Sequence, residues 1–375
     1  MFSLVSFKNF IKLATFIIFI GLICYLTIDL LQEKNNLMDI ESYSPKSTLK
    51  VKETILKKSK YPFIDVHNHQ FDMPIKDLSK LTEEMNSLNM AFMINLSGFR
   101  GMYFRKSMEN IKQNAPTRFG LFINIDFEEI DNPDFIKKNI DLINKTYSMG
   151  AIGLKIYKSF GLTDKDKSGD RIKINDLRLN PIWKELGKLN LPVLIHSGEP
   201  SSFWDPKDEY NERWLELRQK PSRYRDPLNN PSFEEILSEQ HEMFRENKNT
   251  IFINAHLGWM GNDLDRLSDH LDKYPNVYTE IGAVLAEIGR QPIRAKKFFV
   301  DYQDRILFGK DSYKVSEYYT YFRVLETDDE YFDYYRKRHA HWKLYGLNLN
   351  DSILQKVYYK NALKLFPSIE KSLFK

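Results

Sequence analysis

The chain lacks several features that would assign it quickly to a functional class. Its only cysteine, Cys24, lies in an apolar segment near the N-terminus, so the rest of the 375 residues can form no disulfide and supply no thiolate. Any metal must therefore be bound by histidine, carboxylate or a modified lysine. The net charge of +4 is spread over 55 basic and 51 acidic residues. Because nucleic-acid-binding proteins show a clustered basic face, this pattern argues against a nucleic-acid partner.

One long apolar run stands near the N-terminus. Residues 13–28 carry no charge, with Lys8 and Lys12 before them and Asp29 after them. With its flanks, 10–31, the run reaches the ~20 residues that a membrane-spanning helix needs. The positive-inside rule then predicts a cytoplasmic N-terminus over residues 1–9, a transmembrane signal anchor over 10–31, and an exported remainder. Secretion after cleavage of a signal peptide is the alternative, although no small-x-small cleavage site follows the run.

Residues 32–60 are polar and lysine-rich, which predicts a linker. The globular domain is predicted over 61–375. It contains eight short runs rich in Ile, Val, Leu and Phe, mostly without alternation of apolar and polar residues, as in strands buried on both faces of a parallel sheet. They are 63–67, 91–96, 120–125, 152–157, 192–196, 251–256, 277–281 and 305–308.

Helical patterns separate most of these strands. They are 79–89, 134–149, 179–189, 233–247, 263–274 and 292–302. Strands alternating with helices predict an α/β fold of the (β/α)8 TIM barrel type. A doubly wound sheet is disfavoured because no glycine-rich phosphate-binding sequence follows the first strand. Residues 318–375 are predicted to form C-terminal helices, including a packed amphipathic helix over 331–343.

Metal-binding or catalytic residue types stand at the ends of the predicted strands. In a strand, residues i and i+2 share a face, so His67 and His69 can converge on one ion. Later strands carry Lys155, His196, His256, Glu280 and Asp311 at or near their ends. Because the active sites of TIM barrels lie at the carboxyl ends of the strands, these residues are predicted to meet. Imidazole with carboxylate suits Zn²⁺ best, with iron, manganese and nickel as the alternatives.

Such an ion would lower the pKa of a water and polarise a carbonyl oxygen. Asp311 is the carboxylate expected to orient that water and take its proton. His256 is expected to stabilise the developing oxyanion or to protonate the leaving group.

Five motifs in order resemble the amidohydrolase superfamily, and within it the amidohydrolase-related branch, also called amidohydrolase 2. They are Phe63-Ile64-Asp65-Val66-His67-Asn68-His69, Gly153-Leu154-Lys155, Leu194-Ile195-His196, Asn254-Ala255-His256-Leu257-Gly258 and Leu307-Phe308-Gly309-Lys310-Asp311. The resemblance extends over about residues 61–365. It implies a metal-dependent barrel enzyme.

In members with one ion, the resemblance implies that His67, His69, His196 and Asp311 bind the metal and that His256 is catalytic. In members with two ions, a carboxylated Lys155 would bridge them, with His196 and His256 on the second ion. One ion is favoured over two. Lys155 would then be unmodified and pair with a substrate carboxylate or with Asp65.

The substrate is expected to contact loops beyond the strand ends. The long loop after the fifth strand offers Trp204, Arg223 and Arg225, the loop after the second strand offers Arg100, and the seventh strand offers Glu280. Away from the strand ends, His241, His270, His339 and His341 are expected to be packing or surface residues.

The sequence therefore predicts a membrane-anchored, metal-dependent hydrolase acting on a small amide, ester or lactone. The alternative is a metal-dependent decarboxylase of an aromatic or enol carboxylic acid, because the ligands alone do not separate these reactions. The sequence leaves open whether the chain forms a homo-oligomer.

Overall fold

The computed structural model describes residues 4–36, 38–337, 339 and 342–374. The chain divides into two compact units, Met1–Lys50 and Val51–Lys375. The first unit contains α1 (Leu4–Asn36). Within this helix, Asn9–Leu31 is long and apolar enough to cross a membrane, a property that a signal sequence shares.

Eight parallel strands form the second unit's sheet in sequential order, β1 to β8. Backbone hydrogen bonds connect the last strand to the first, since the Val66 N–H donates to the Phe308 carbonyl at 3.0 Å and the Asp311 N–H donates to the His67 carbonyl at 2.6 Å. The prediction of a TIM barrel is confirmed. The strands are β1 (Phe63–Asn68), β2 (Met90–Asn95), β3 (Phe119–Asn124), β4 (Gly153–Ile156), β5 (Val193–Ile195), β6 (Phe252–Asn254), β7 (Val277–Glu280) and β8 (Ile306–Leu307).

The strands have little polar–apolar alternation because both of their faces are buried. In β5, Val193 and Ile195 belong to a large apolar cluster shared with the surrounding helices, whereas Leu194 belongs to a smaller cluster that includes Phe366. In β4, Leu154 belongs to the large cluster, so its neighbour Lys155 lies on the opposite face of the strand.

Helices follow most of the strands, and all six helices predicted between strands are present. Sequence patterns missed three further helices, α3 (Gly101–Asn114), α6 (Trp214–Gln219) and α9 (Leu285–Arg290). The helix α3 is polar, with only Phe104, Ser107, Met108 and Ile111 buried, so its periodicity is weak. The helices of this region are α2 (Leu78–Leu88), α3 (Gly101–Asn114), α4 (Phe135–Met149), α5 (Asn180–Lys188), α6 (Trp214–Gln219), α7 (Phe233–Glu246), α8 (Leu264–Lys273), α9 (Leu285–Arg290) and α10 (Pro292–Asp301).

The C-terminal region is only partly helical. It contains α11 (Val315–Glu326), α12 (Asp351–Gln355), a π-helical turn (Lys356–Lys360) and α13 (Asn361–Leu365). Between α11 and α12, β9 (Phe332–Asp333) pairs antiparallel with β10 (Lys343–Leu344). The predicted helix over 331–343 is therefore wrong, because its two ends pair as strands. The expectation for His341 falls on a residue outside those described.

The second unit starts ten residues before the domain start expected from the sequence. Thr54 donates to the buried Asp329 carboxylate through its backbone N–H at 2.6 Å and its hydroxyl at 2.7 Å. The Lys60 N–H donates to Glu326 Oε1 at 3.0 Å. These contacts attach residues 51–60 to α11 and the segment that follows it.

Candidate active site

His67 and His69 each have one ring nitrogen engaged and the other directed towards Asp311. His67 Nδ1 lies 2.9 Å from Glu280 Oε1, and His69 Nδ1 lies 2.7 Å from Ser97 Oγ. On the other side of the rings, Asp311 Oδ1 is 3.5 Å from His67 Nε2 and 3.8 Å from His69 Nε2. The pair that closes β1 therefore converges with the carboxylate that follows β8, as the strand-end pattern predicts.

These three side chains have the electrostatic character of metal ligands. Burial, reinforced by the nearby Lys155 charge, lowers the pKa of His67 well below its ordinary value and that of His69 to about 4. Both imidazoles are therefore neutral near pH 7, the form that binds a metal. Burial alone would raise the pKa of Asp311, but the electrostatic influence of the neighbouring His67, His256, His69 and Lys155 side chains holds it below its ordinary value.

The donor atoms fit a divalent ion. His67 Nε2 is buried and has no hydrogen-bond partner among the described residues. The ligand atoms of His67, His69 and Asp311 all lie within 4.8 Å of one another, as do those of His67, His256 and Glu280. An unpartnered buried nitrogen beside a second imidazole and a carboxylate is the arrangement that zinc and related ions require.

Glu280, which was expected to contact the substrate, is 0 % exposed. Its carboxylate accepts from His67 Nδ1 and from the backbone N–H of His256 at 2.7 Å. It also accepts from the backbone N–H of Gly282. Its oxygens are thus used to orient the two histidines, an arrangement found around metal sites where a carboxylate fixes the tautomer of a ligand.

His256 and His196 contact each other. His256 has a left-handed backbone (φ 58°), and its Nδ1 donates to the Gly282 carbonyl at 2.7 Å. Its Nε2 lies 3.2 Å from His196 Nδ1. His196 Nε2 is buried without a hydrogen-bond partner in the described part of the chain. Neither group of converging ligands found among the described residues includes His196, which reaches them through His256.

Lys155 lies at the carboxyl end of β4 and is 1 % exposed. Its Nζ has no hydrogen-bond partner among the described residues. Burial lowers the pKa of Lys155 to about 7, although the charges of Asp311 and Glu280 oppose this shift.

The expected ion pair between Lys155 and Asp65 is absent from the described residues, and the partners of Asp65 explain why. Its carboxylate accepts from Tyr318 Oη at 2.7 Å, Asn68 Nδ2 at 2.8 Å, and the backbone N–H groups of His67 and Lys310, both at 3.1 Å. Four donors already satisfy this carboxylate. Asp65 thus braces the ends of β1 and β8, and the prediction of a Lys155–Asp65 pair is wrong.

Three of the loop residues expected to contact the substrate form hydrogen bonds within the loop after β5. Arg225 Nη2 donates to Glu199 Oε1 at 2.9 Å, and Arg223 donates to Glu216. Trp204 Nε1 donates to the Pro231 carbonyl at 2.8 Å.

Arg100 is placed differently, on the wall of a cavity of about 530 Å³, where it pairs with Asp126 at 2.6 Å. This cavity adjoins the candidate site through Tyr157. The Tyr157 ring stacks on His69 with centroids 5.8 Å apart, and its hydroxyl lies 3.0 Å from Ser97 Oγ. The sequence patterns did not single out Ser97 or Tyr157, although Ser97 directly follows the predicted strand 91–96 and Tyr157 is the last residue of the predicted strand 152–157.

Comparisons with known proteins agree with this fold. A protein-family model described as Amidohydrolase matches residues 64–368. The comparison with curated proteins gave no match.

Solved structures share the fold at low sequence identity. An uncharacterized TIM-barrel protein from Bordetella bronchiseptica has a TM-score of 0.50 and 12% identity, with 82% of this chain and 99% of that chain covered. A manganese-containing dihydroxybenzoic acid decarboxylase from Polaromonas has a TM-score of 0.50 and 12% identity, with 84% and 99% covered. A 4-oxalomesaconate hydratase from Rhodopseudomonas palustris has a TM-score of 0.50 and 11% identity, with 83% and 97% covered.

Proposed function

Because the chain belongs to the amidohydrolase family, we propose that it is a metal-dependent hydrolase that acts on a small amide, ester or lactone. The observation that supports this most directly is the convergence of His67, His69 and Asp311 at the carboxyl end of the barrel. The family is metal-dependent, and the three donor groups fit one divalent ion. We propose Zn²⁺, and one ion rather than two, with His196 as a further ligand.

The ion's contribution, when bound, is Lewis acidity, which lowers the pKa of a water and polarises a carbonyl oxygen. The protein's contribution is to hold the donors in place. Glu280 fixes the His67 ring and Ser97 fixes the His69 ring, so that both Nε2 atoms face Asp311. Ligands held in this way need little reorganisation when the ion and the substrate bind.

Asp311 is the proposed proton acceptor. Its side chain is 32% exposed, whereas the His67 side chain beside it is fully buried. Its lowered pKa keeps it ionised across the neutral range. It can therefore orient an attacking water through one oxygen and accept its proton as the new bond forms.

His256 is proposed to act on the developing negative charge or on the leaving group. Its Nδ1 is committed to the Gly282 carbonyl, which leaves Nε2, now facing His196, as the atom that a substrate would meet. For this role Nε2 must also carry a proton, so that the ring acts as an imidazolium. The contact between the two rings must then open or be replaced when the substrate binds.

A decarboxylase is the second candidate. The structural neighbour from Polaromonas is a dihydroxybenzoic acid decarboxylase with bound manganese. The buried Lys155 ammonium offers a place for a substrate carboxylate in this chain. Release of carbon dioxide without hydrolysis would support this candidate over the hydrolase.

The test combines metal analysis with turnover. Metal content per chain should be close to one ion, and hydrolysis of a panel of lactones, amides and esters should require it. His69→Ala and Asp311→Ala should abolish turnover, whereas Arg223→Ala, which removes an ion pair inside the loop, should retain most of it. Full activity in metal-stripped protein, or in either site variant, would refute the proposal.

A further inference from the structure

The Lys155 amino group is a buried donor without a partner beside the candidate site. It is 1 % exposed and its Nζ has no hydrogen-bond partner in the described part of the chain. A buried donor without a partner is unfavourable, and an anion bound beside it would satisfy it and favour its protonated form. The other buried lysine near the site, Lys310, shows the usual arrangement, since its Nζ donates to Ser312 and Glu317.

The surroundings of Lys155 place its amino group beside Tyr157, which connects the candidate site to the cavity. Lys155 Nζ is 5.8 Å from the centroid of the Tyr157 ring. That ring stacks on His69 with centroids 5.8 Å apart and also lines the cavity of about 530 Å³.

The protein's own carboxylates near Lys155 are engaged elsewhere. Glu280 accepts from His67 and His256, and Asp311 faces His67 and His69. Asp65 has four donors of its own. Among the described residues these three carboxylates are therefore not partners of Lys155, and an anion from outside the chain would fill that place.

We propose that Lys155 binds a carboxylate group of the substrate and thereby selects anionic substrates whose carboxylate lies close to the reacting bond. This inference rests on the proposed function, because it places the substrate at the same histidine cluster. An ammonium has N–H donors that a carboxylate can accept in charge-assisted hydrogen bonds. The adjoining part of the molecule can then reach the metal-ligand atoms around Asp311.

The experiment compares two probes that share shape and differ in charge, benzoate and benzamide. Their binding to the full-length chain is measured by calorimetry, with Zn²⁺ bound and after metal removal. The metal-free arm isolates Lys155 from any direct contact of benzoate with the ion. We expect a preference for benzoate of at least about tenfold in both arms, as a charge-assisted hydrogen bond provides.

In the metal-free arm, Lys155→Met should abolish this preference without unfolding the protein, because methionine fills similar space and removes a buried donor that has no partner among the described residues. Lys158→Met is the matched control, since Lys158 lies in the loop after the same strand but is half-exposed and paired with Glu199 at 2.6 Å. The control should keep the preference. Thermal unfolding of each variant verifies that the fold is retained.

Equal binding of benzoate and benzamide to the metal-free chain, or a metal-free preference that survives Lys155→Met, would overturn the inference. A lysine carboxylated by carbon dioxide would also overturn it, and would appear as two ions per chain in the parent and a loss of metal in Lys155→Met. The proposed function is scored separately by metal-dependent turnover. A Lys155-dependent benzoate preference without such turnover would refute the proposed function and leave this inference standing.

Discussion

Glu280 Oε1 lies 2.9 Å from His67 Nδ1, and both side chains are completely buried. A carboxylate in this position accepts a hydrogen bond from Nδ1–H, which keeps the proton on Nδ1 and leaves the Nε2 lone pair for a metal. Since β7 supplies Glu280 and β1 supplies His67, the pair also connects two strands that are not neighbours in the sheet. The metal affinity of the candidate site should therefore depend on Glu280, even though Glu280 need not bind the metal itself.

Glu280→Gln is expected to weaken metal binding by about 10- to 100-fold, the usual effect of losing such a supporting carboxylate. A neutral amide keeps the shape but no longer polarises the His67 ring. Competition with a chelator of known affinity measures the change. The control is Glu239→Gln, which alters another buried carboxylate, one paired with Arg171 at 2.6 Å. Equal metal affinity in Glu280→Gln and the parent would contradict the assigned role.

Ser97→Ala is expected to affect the second histidine of the pair. Ser97 Oγ lies 2.7 Å from His69 Nδ1 and 3.0 Å from the Tyr157 hydroxyl, so its removal frees the His69 ring to rotate. We expect a loss of about tenfold in metal affinity with a smaller change in stability. Tyr157→Phe, which leaves the Ser97 contact to His69 in place, should lose less. Equal metal affinity in Ser97→Ala and Tyr157→Phe would show that Ser97 does not hold the His69 ring in place.

The barrel was largely predictable from the sequence because its strands are apolar on both faces and its histidines stand at strand ends. The convergence of His67, His69 and Asp311 followed from that topology alone. The role of Glu280 did not, because the sequence places it on β7 but cannot show that its oxygens meet His67 and the His256 backbone. The partners of Asp65 and the strand pairing around residues 331–343 likewise depend on long-range contacts that no local pattern encodes.

His270 provides a test of pH dependence outside the candidate site. Burial, together with nearby His241, lowers the pKa of His270 to about 3. An unfolded chain restores a value of about 6.5, so between these values the unfolded state binds the additional proton. The free energy of unfolding must therefore fall as the pH falls from about 6.5, by up to about 1.4 kcal/mol per pH unit from this residue.

His270→Phe should reduce that slope, since phenylalanine cannot bind a proton and fits among the rings of Phe244 and Tyr274. Urea unfolding of the metal-free protein at pH 7, 6, 5 and 4.5 measures it. The parent and the variant should differ most at the lowest pH. Parallel stability curves would show that His270 is not buried in its neutral form.

The start of the second unit can be tested by truncation. A chain that begins at Val51 retains the two hydrogen bonds from Thr54 to Asp329 and the bond from the Lys60 N–H to Glu326. A chain that begins at Tyr61 loses all three, and among the described residues it leaves the buried Asp329 carboxylate with Arg323 as its one remaining side-chain partner. An unsatisfied buried group costs about 1–3 kcal/mol, so the shorter chain should be less stable by at least that amount.

The same two truncations also test the proposed membrane anchor. Both lack residues 9–31, the segment long and apolar enough to span a membrane. The full-length chain should remain in the membrane fraction after extraction with alkaline carbonate, whereas both truncated chains should be released.

The chain beginning at Val51 should unfold at a higher urea concentration than the one beginning at Tyr61. Asp329→Asn in the longer chain should bring the urea concentration at which it unfolds most of the way down to that of the shorter chain. The reason is that the amide cannot accept from Thr54 and Arg323 as the carboxylate does.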